Sequence, residues 1–381
     1  MDQAPAVLKT KSHYEILDGL RGVAAVMVVI FHTFEAYADE NRFKQIINHG
    51  YLAVDFFFLL SGFVVAYAYD DRWGTPGSAK MTQLDFYKRR LIRLQPMVIV
   101  GNIIGAALFY FQSASIFPLV AVTPVWKVLV VMLVGFTIIP ILPSMDIRGW
   151  QEMHPLDGPA WSLFFEYIAN ILYAAGFRKL SNKALGVLVV LSAALLMHLT
   201  VFGPKGDVIG GWAVDQTQLH IGFARMLYPF FAGILLMRMG KRIHVKEAFT
   251  VCSLLLVLLF AIPRIGGPTH LWMNGLYESV CIIVLFPVIV AMGAGSRMTG
   301  VFSTKLCRFF GDISYPLYIT HYPLIYVYTA WVVRDKVPAV YGAVSGVLLL
   351  TTAISIAYAC LKLYDEPVRG WLQRRFILKQ V

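Results

Sequence analysis

Eleven long apolar segments constrain the fold of this chain more than any other feature of its sequence. They cover residues 17–37, 52–69, 94–111, 119–140, 160–176, 184–201, 221–237, 248–263, 276–293, 313–333 and 340–361. Each approaches the roughly 20 apolar residues that a helix needs to cross the hydrocarbon core of a bilayer. The segments are apolar on nearly all sides and do not alternate strictly, which favours helices over a β-barrel. The sequence therefore predicts an all-α, polytopic transmembrane helix bundle with about 10 spans plus one re-entrant or interfacial helix.

The composition excludes several classes of protein. Of the 381 residues, 58% are hydrophobic and only 14% are charged, whereas soluble domains carry about 25% charged residues. This excludes a cytosolic enzyme, a disordered chain and a secreted disulfide scaffold. The four cysteines lack the spacing of metal ligands, so they are interpreted as small apolar fillers and no metal site is predicted. They are Cys252, Cys281, Cys307 and Cys360.

The basic residues predict how the chain is oriented in the membrane. Lysine and arginine outnumber aspartate and glutamate by 33 to 22. If the N-terminus is cytoplasmic and ten segments cross, 24 basic residues fall inside and eight outside, with Arg225 within a span. This positive-inside bias holds only if 119–140 does not cross, because a full crossing would move Arg178, Lys179 and Lys183 outside. We therefore expect 119–140 to be re-entrant or to lie along the outer face.

This orientation predicts a multi-pass protein of the cell (inner) membrane with both termini cytoplasmic. The chain divides into an N-terminal cytoplasmic tail at 1–13, one membrane domain at 14–370 and a basic cytoplasmic tail at 371–381. The lipid bilayer is thus a predicted partner. Nucleic acid is not, because the basic residues are scattered among loops rather than gathered into a basic domain.

The first apolar segment carries four ionisable residues, namely Asp18, Arg21, His32 and Glu35. Ionisable groups inside membrane spans are costly, so each is a functional hypothesis. Arg21 and His32 are eleven residues apart, which places them on nearly the same helix face and about 16 Å apart along the axis. Histidine transfers protons near neutral pH, so His32 is a candidate general base. The alternative is a histidine bonded to a neighbouring helix for packing.

Two arginines precede the third segment. Arg90 and Arg93 share one helix face at the predicted cytoplasmic surface. Two planar guanidinium groups suit the phosphates of a nucleotide-bearing ligand. Anchoring to anionic lipid headgroups is an equal alternative.

The fifth segment begins with a polar face. Ser162 and Glu166 are four residues apart on one face, and Trp161 suits the membrane interface. Glu166 lies more than one turn inside the span, where a carboxyl group suits proton transfer. A structural ion pair between Glu166 and Arg225 is the competing interpretation.

A serine and a histidine also share a face near the C-terminus. Ser314 and His321 are about two helical turns apart. They could bond to each other only through a bent helix, so we interpret them as structural or substrate-contacting residues.

These residues, in this order, resemble the membrane acyltransferase-3 family. The resemblance covers residues 14–370 and rests on an ordered series of short motifs rather than on one. The series comprises Leu17-Asp18-Gly19-Leu20-Arg21-Gly22 with His32, Asp55-Phe56-Phe57-Phe58-Leu59-Leu60-Ser61-Gly62-Phe63, Arg90-Leu91-Ile92-Arg93, Trp161-Ser162-Leu163 with Glu166, Ser314-Tyr315 with His321, and Tyr364-Asp365-Glu366-Pro367. Many relatives have two adjacent acidic residues after Trp-Ser-Leu, whereas here Phe165 precedes the single Glu166.

The resemblance implies an enzyme that transfers an acyl group, commonly acetyl from acetyl-CoA, to a hydroxyl of an extracytoplasmic or membrane-presented carbohydrate or glycolipid. Acyl-CoA is then a donor substrate, and no tightly bound cofactor is expected. The family's arginine-histidine motif corresponds to Arg21 and His32, and its paired-arginine motif to Arg90 and Arg93.

A mechanism follows from this resemblance and the residues above. Arg21, Arg90 and Arg93 would bind the donor, and His32, oriented by Glu35 or Glu166, would activate the acceptor hydroxyl directly or through an acyl-enzyme step. The alternative function is a secondary transporter or exporter of a sugar or glycolipid with a buried charge relay. The chain lacks the inverted repeats and paired broken helices that many transporters show.

Overall fold

The computed structural model describes residues 14–38, 41–73, 81–298 and 300–377. The predicted tail 1–13 lies outside these ranges, as does the predicted tail 371–381 beyond residue 377. The described ranges contain fourteen α-helices and no β-strand, apart from one isolated bridge between Glu152 and Ala213. The helices are α1 Glu15–Glu35, α2 Ala53–Tyr69, α3 Gln83–Ala107, α4 Val125–Gly135, α5 Ala160–Ala175, α6 Asn182–Met197, α7 Gln216–Met239, α8 Ala248–Ala261, α9 Leu271–Val280, α10 Phe286–Gly295, α11 Val301–Thr320, α12 Tyr322–Asp335, α13 Ala339–Cys360 and α14 Glu366–Phe376. The prediction of an all-α helix bundle is confirmed.

Within the described ranges, six helical stretches are long and apolar enough to cross a membrane: Glu15–Glu35, Gly50–Arg72, Asn182–Phe202, Gln216–Met239, Leu271–Gly295 and Ala339–Phe376. Within the predicted segment 119–140, only α4 is α-helical, and its eleven residues rise about 16 Å. That is roughly half of the 30 Å hydrocarbon core, so α4 is too short to cross it. Helix α4 follows Pro124 and ends at Gly135.

Two helix pairs form the centre of the bundle. Helix α1 packs along α11, and α2 packs along α7. Glycines allow the backbones to approach closely: a side chain on Gly22 would overlap the carbonyl group of Phe310, and one on Gly62 would overlap that of Phe230. Small residues at helix contacts are the usual means of close packing in membranes, where lipid tails remove the hydrophobic drive between helices.

The bundle has two ends, which we name by their residues. The basic end holds Arg21, Arg90 and Arg93; α1 and α11 begin there, as the Arg308–Glu15 ion pair of 2.9 Å shows. Helices α5 and α7 finish there, and Asp70, just after α2, accepts hydrogen bonds from Tyr173 of α5 and Arg238 of α7. The histidine end holds His32 and His321, whose rings stack with centroids 5.7 Å apart.

The predicted span 313–333 is divided in the structure. Helix α11 begins at Val301, twelve residues before the predicted start of the span. Hydropathy did not detect these first turns because they carry Lys305 and Arg308 and are not apolar. The helix ends at Thr320, and α12 starts at Tyr322 with a proline in its first turn. His321 occupies the junction. Helix α11 runs unbroken from Ser314 to Thr320, the His321 amide donates to the Leu317 carbonyl, and Ser314 bonds elsewhere.

The irregular segment between α4 and α5 is held by one buried arginine. Arg148 is fully buried, and its guanidinium donates to Gln112 at 2.6 Å and to the Pro155 carbonyl at 2.5 Å. The guanidinium carbon also lies 3.4 Å from the ring centroid of Tyr326. These contacts fix the chain just before Pro159, where α5 begins. They therefore help to position the polar residues in the first turns of α5.

Candidate active site

A pocket opens among α1, α2, α3, α5 and α11 toward the basic end, with a cavity volume of about 90 Å³. Its polar lining consists of Arg21, Ser61, Arg90, Arg93, Ser162, Glu166, Ser314, Tyr315 and Tyr318. Its apolar lining comes mainly from α2. All three arginines predicted to bind a donor thus line the same pocket, as do Ser162 and Glu166.

Arg90 and Arg93 have different environments in this pocket. Arg90 is buried, and its guanidinium donates to Glu166 Oε1 at 2.5 Å. Ser61 donates to the same carboxylate oxygen at 2.8 Å. Arg93 is exposed and makes no hydrogen bond or ion pair with the described part of the chain. Arg93 is therefore available to a ligand, whereas Arg90 is committed to Glu166.

Arg21 is held by its own helix and by α11. Its guanidinium lies 2.8 Å from Asp18 Oδ1, one turn earlier on α1, and its Nε donates to Ser314 Oγ at 2.9 Å. Ser314 in turn donates to the Gly311 carbonyl at 2.8 Å. Asp18 and Ser314 thus support Arg21, and Ser314 does not bond to His321.

His32 lies at the histidine end, beyond the lining of the pocket. Its Nδ1 is 2.8 Å from Glu35 Oε2, and Arg42 lies 3.1 Å from the other oxygen of that carboxylate. Of the two orienting residues predicted from sequence, Glu35 contacts His32 and Glu166 does not. Carboxylate bonding at Nδ1 favours the tautomer with the proton there and leaves the Nε2 lone pair available. This is the arrangement that a general base requires.

His321 connects His32 to α11. Its Nδ1 donates to the carbonyls of Leu317 and Tyr318 at 3.1 and 2.8 Å, and its buried Nε2 has no partner in the described structure. Tyr322 packs edge-on against His32, with centroids 4.7 Å apart. The two histidines and Tyr322 thus form an aromatic cluster at the junction of α11 and α12.

The alternative interpretation of Glu166, an ion pair with Arg225, does not hold. Arg225 is buried and pairs with Asp55 of α2 through contacts of 3.2 Å to Oδ1 and 2.7 Å to Oδ2. Glu166 pairs with Arg90 because α5 turns that face toward α3 and the pocket. Trp161 is also buried rather than at the interface, and its ring lies 5.2 Å from the Arg225 guanidinium carbon.

Four polar residues at or near these sites were not singled out as site residues from the sequence. They are Asp55 and Ser61, which lie within motifs quoted above, and Tyr318 and Arg42, which lie outside them. The signal for Asp55 was available, since a lone carboxylate in an apolar helix requires a cation. Arg42 carried no such signal, because a loop arginine looks like any solvated charge.

The cysteines do not take part in the site. Cys252, Cys281 and Cys307 are buried, Cys360 is partly buried, and all four are free thiols. Among the described residues, no group of three or more histidine, cysteine or acidic side chains is arranged to hold a metal ion.

Comparison with family models gives a match that covers nearly the whole chain. A family model described as an acyltransferase domain, the acyltransferase-3 family, matches residues 14–360. No solved structure shows a significant match.

Two curated relatives illustrate the range of similarity. Protein 2 in the picA locus of Rhizobium radiobacter is 30% identical over 210 residues, which cover 52% of this chain and 97% of that protein. O-acetyltransferase OatA of Staphylococcus aureus is 24% identical over 372 residues, which cover 93% of this chain and 57% of OatA. This chain therefore spans little more than half the length of OatA.

Proposed function

The chain belongs to the acyltransferase-3 family, and on that premise we propose that it is an integral membrane O-acyltransferase that moves an acyl group from acyl-CoA to a hydroxyl of a carbohydrate or glycolipid. The acyl group that we propose is acetyl, since the relative OatA is named an O-acetyltransferase. The observation that carries the proposal is a single helix, α1, with an arginine in a basic pocket near one end and a carboxylate-bound histidine at the other.

The basic pocket suits the donor. CoA is anionic through its phosphates, and guanidinium groups bind phosphate through charge-assisted hydrogen bonds. Arg93 is free to make such bonds, and Arg21 is held at the pocket wall by Asp18 and Ser314. Arg21 and His32 are separated by about 16 Å along α1. The extended pantetheine arm of CoA separates its phosphates from its thioester by a comparable length.

The donor pocket implies an orientation. CoA is a cytoplasmic metabolite that does not cross lipid, so the basic end faces the cytoplasm and the histidine end faces the acceptor. Both termini are then cytoplasmic, in agreement with the distribution of basic residues. A reporter enzyme that is active only in the cytoplasm is expected to be active when it is fused after Lys183. Activity of a reporter that works only in the periplasm, fused at the same position, would reverse the assignment.

His32 acts on the acceptor in this proposal. Glu35 accepts a hydrogen bond from Nδ1 of His32, and Arg42 holds Glu35 in place. The other ring nitrogen, Nε2, then takes the proton from the acceptor hydroxyl. The hydroxyl oxygen then attacks the thioester carbonyl carbon. Glu166 lies in the donor pocket and not beside His32, so any proton transfer by Glu166 belongs to the donor side. Its bond to Arg90 also orients that guanidinium.

The proposed function is tested with inverted membrane vesicles from cells that produce the protein. Radiolabelled acetyl-CoA is added to the exposed cytoplasmic face, and label is measured in the carbohydrate and glycolipid fraction. We expect label to appear there together with free CoA, and not in vesicles from a deletion strain. Movement of a sugar or glycolipid without any acyl transfer would instead support a transporter. Mass comparison of the surface carbohydrate of the two strains then identifies the molecule that carries the acyl group.

Replacing Arg93 with alanine is expected to raise the KM for acetyl-CoA with little change in kcat. Loss of one charge-assisted phosphate contact costs about 1.5–3 kcal/mol, which corresponds to a factor of about ten to a hundred. Lys88→Ala is the matched control, because it removes one positive charge from the same helix at a position that does not line the pocket. An equal rise in both variants would assign Arg93 to general surface charge or lipid anchoring.

A further inference from the structure

Tyr318 lies between the pocket and the histidines. It belongs to α11, lines the pocket and is buried, with only 6% of its surface exposed. On one side its ring meets Phe57 edge-on at a centroid distance of 5.3 Å. On the other side its ring lies 6.0 Å from that of His321, which stacks on His32. A thioester that reaches the inner part of the pocket therefore meets Tyr318 on the way to His32.

The hydroxyl of Tyr318 is the one that a ligand can recruit most readily. Its oxygen lies 2.7 Å from Ser162 Oγ, and Ser162 itself donates to the Pro159 carbonyl at 3.0 Å. The Tyr318 hydroxyl also donates to the Pro159 carbonyl at 3.4 Å, but that carbonyl keeps its shorter bond from Ser162 if Tyr318 turns to another acceptor. Exchange of a hydroxyl acceptor for a substrate oxygen leaves no buried carbonyl unsatisfied, so its cost is small.

The other hydroxyls of the pocket have stronger commitments. Ser61 donates to the Glu166 carboxylate, Ser314 donates to the Gly311 carbonyl, and Tyr315 donates to the Leu94 carbonyl at 2.6 Å. Redirecting Ser314 or Tyr315 would remove a side-chain donor from a backbone carbonyl, and redirecting Ser61 would leave Glu166 Oε1 with Arg90 as its side-chain donor. The shortest contact of Tyr318 is with another hydroxyl, and Tyr318 lies nearest to the histidine cluster along α11.

We propose that Tyr318 is a catalytic residue whose hydroxyl donates a hydrogen bond to the carbonyl oxygen of the donor thioester, with Ser162 as the positioning residue that holds this hydroxyl in the free enzyme. The inference rests on the proposed acyl transfer and adds the group that stabilises its transition state. A hydrogen-bond donor fixed where negative charge develops is worth far more in a water-poor site than in solution.

In the proposed transfer, His32 and Tyr318 account for the proton, the electron pair and the leaving group. His32 takes the proton of the acceptor hydroxyl while the acceptor oxygen bonds to the carbonyl carbon, and the carbonyl electron pair moves to the oxygen. Tyr318 donates to that oxyanion and keeps its own proton. When the carbonyl re-forms, the carbon–sulfur bond breaks, and the departing CoA thiolate takes up the proton held by His32.

The test is Tyr318→Phe in the vesicle assay with radiolabelled acetyl-CoA. Removal of one oxyanion donor is expected to lower kcat about 10²–10³-fold, while the KM for acetyl-CoA stays within about twofold of the wild-type value. Tyr228→Phe is the matched control, since it removes the hydroxyl of another buried tyrosine, here bonded to the Ile283 carbonyl, at a position outside the pocket. We expect its kcat to change less than about fivefold. Thermal melting of the purified variants measures whether either change acts through stability.

Three outcomes would overturn the inference in membranes where the wild-type protein transfers label. They are a kcat for Tyr318→Phe close to that of wild type, a raised KM with unchanged kcat, and equal losses in Tyr318→Phe and Tyr228→Phe. The second would make Tyr318 a ground-state contact, and the third would make the effect one of packing. Absence of transfer by the wild-type protein would instead contradict the proposed function itself.

Discussion

His32→Ala is expected to abolish most acyl transfer, with a fall of about 10²–10⁴-fold in kcat, because it removes the proposed base. The measurement is label transfer from acetyl-CoA in inverted vesicles at saturating donor. Glu35→Gln is expected to have a smaller effect in the same direction, since an amide still accepts the Nδ1 hydrogen bond but does not stabilise the imidazolium that forms. A graded series from wild type through Glu35→Gln to His32→Ala would therefore support the arrangement seen at the histidine end.

His198→Ala is the control for this series. His198 is exposed at the end of α6 and lies outside both the pocket and the histidine cluster. Its loss should leave transfer unchanged. If His32→Ala is inserted at the wild-type level and keeps full activity, His32 has no part in the chemistry and is a packing residue of the α1–α11 contact.

Asp55→Ala is expected to have the largest effect on stability. It leaves the Arg225 guanidinium buried, with its counter-ion removed and with contacts of 2.8 Å to the Tyr51 carbonyl and 3.4 Å to that of Gly210. Breaking a buried ion pair by removing one partner costs about 3–5 kcal/mol. We expect a large drop in the melting temperature of the detergent-solubilised protein and little folded material after extraction.

The double variant Asp55→Leu with Arg225→Met is the matched control. Replacing both charges by apolar side chains of similar size is often neutral or stabilising, so the double variant should recover most of the lost stability. If the single variant folds normally but loses acyl transfer, Asp55 serves the reaction rather than the fold. Because Trp161 lies over the Arg225 guanidinium, the melting temperature of Trp161→Leu offers an independent check on this buried site.

Arrangement along single helices could be predicted from the sequence. The spacing of Arg21 and His32 placed them on one face of one helix, and the structure has α1 unbroken across both. Ser162 and Glu166, four residues apart, both line the pocket. These predictions succeed because helical geometry converts sequence separation directly into angle and rise.

Pairing between helices could not be predicted in the same way. Glu166 and Arg225 both lie within apolar segments, but which faces meet depends on how α5 and α7 rotate about their axes. Packing decides that rotation, and close contacts such as that between Gly62 and Phe230 are visible only in three dimensions. The sequence predicts Arg90 to lie at the membrane surface, because hydropathy locates the start of the apolar segment and not the start of the helix that contains it. Helix α3 begins at Gln83 and carries Arg90 into the bundle.

The unbroken course of α1 has a mechanical consequence. Because Arg21 and His32 belong to one helix with no proline between them, movements of the neighbouring helices cannot alter their separation. The distance between the donor-binding Arg21 and the proposed base His32 is therefore constant. Donor and acceptor must meet within that distance, whichever side of the membrane each comes from. Inserting one residue between Gly22 and Phe31 would rotate His32 by about 100° relative to Arg21. The imidazole would then point away from Arg42, the residue that holds Glu35, although every side chain of the site is retained.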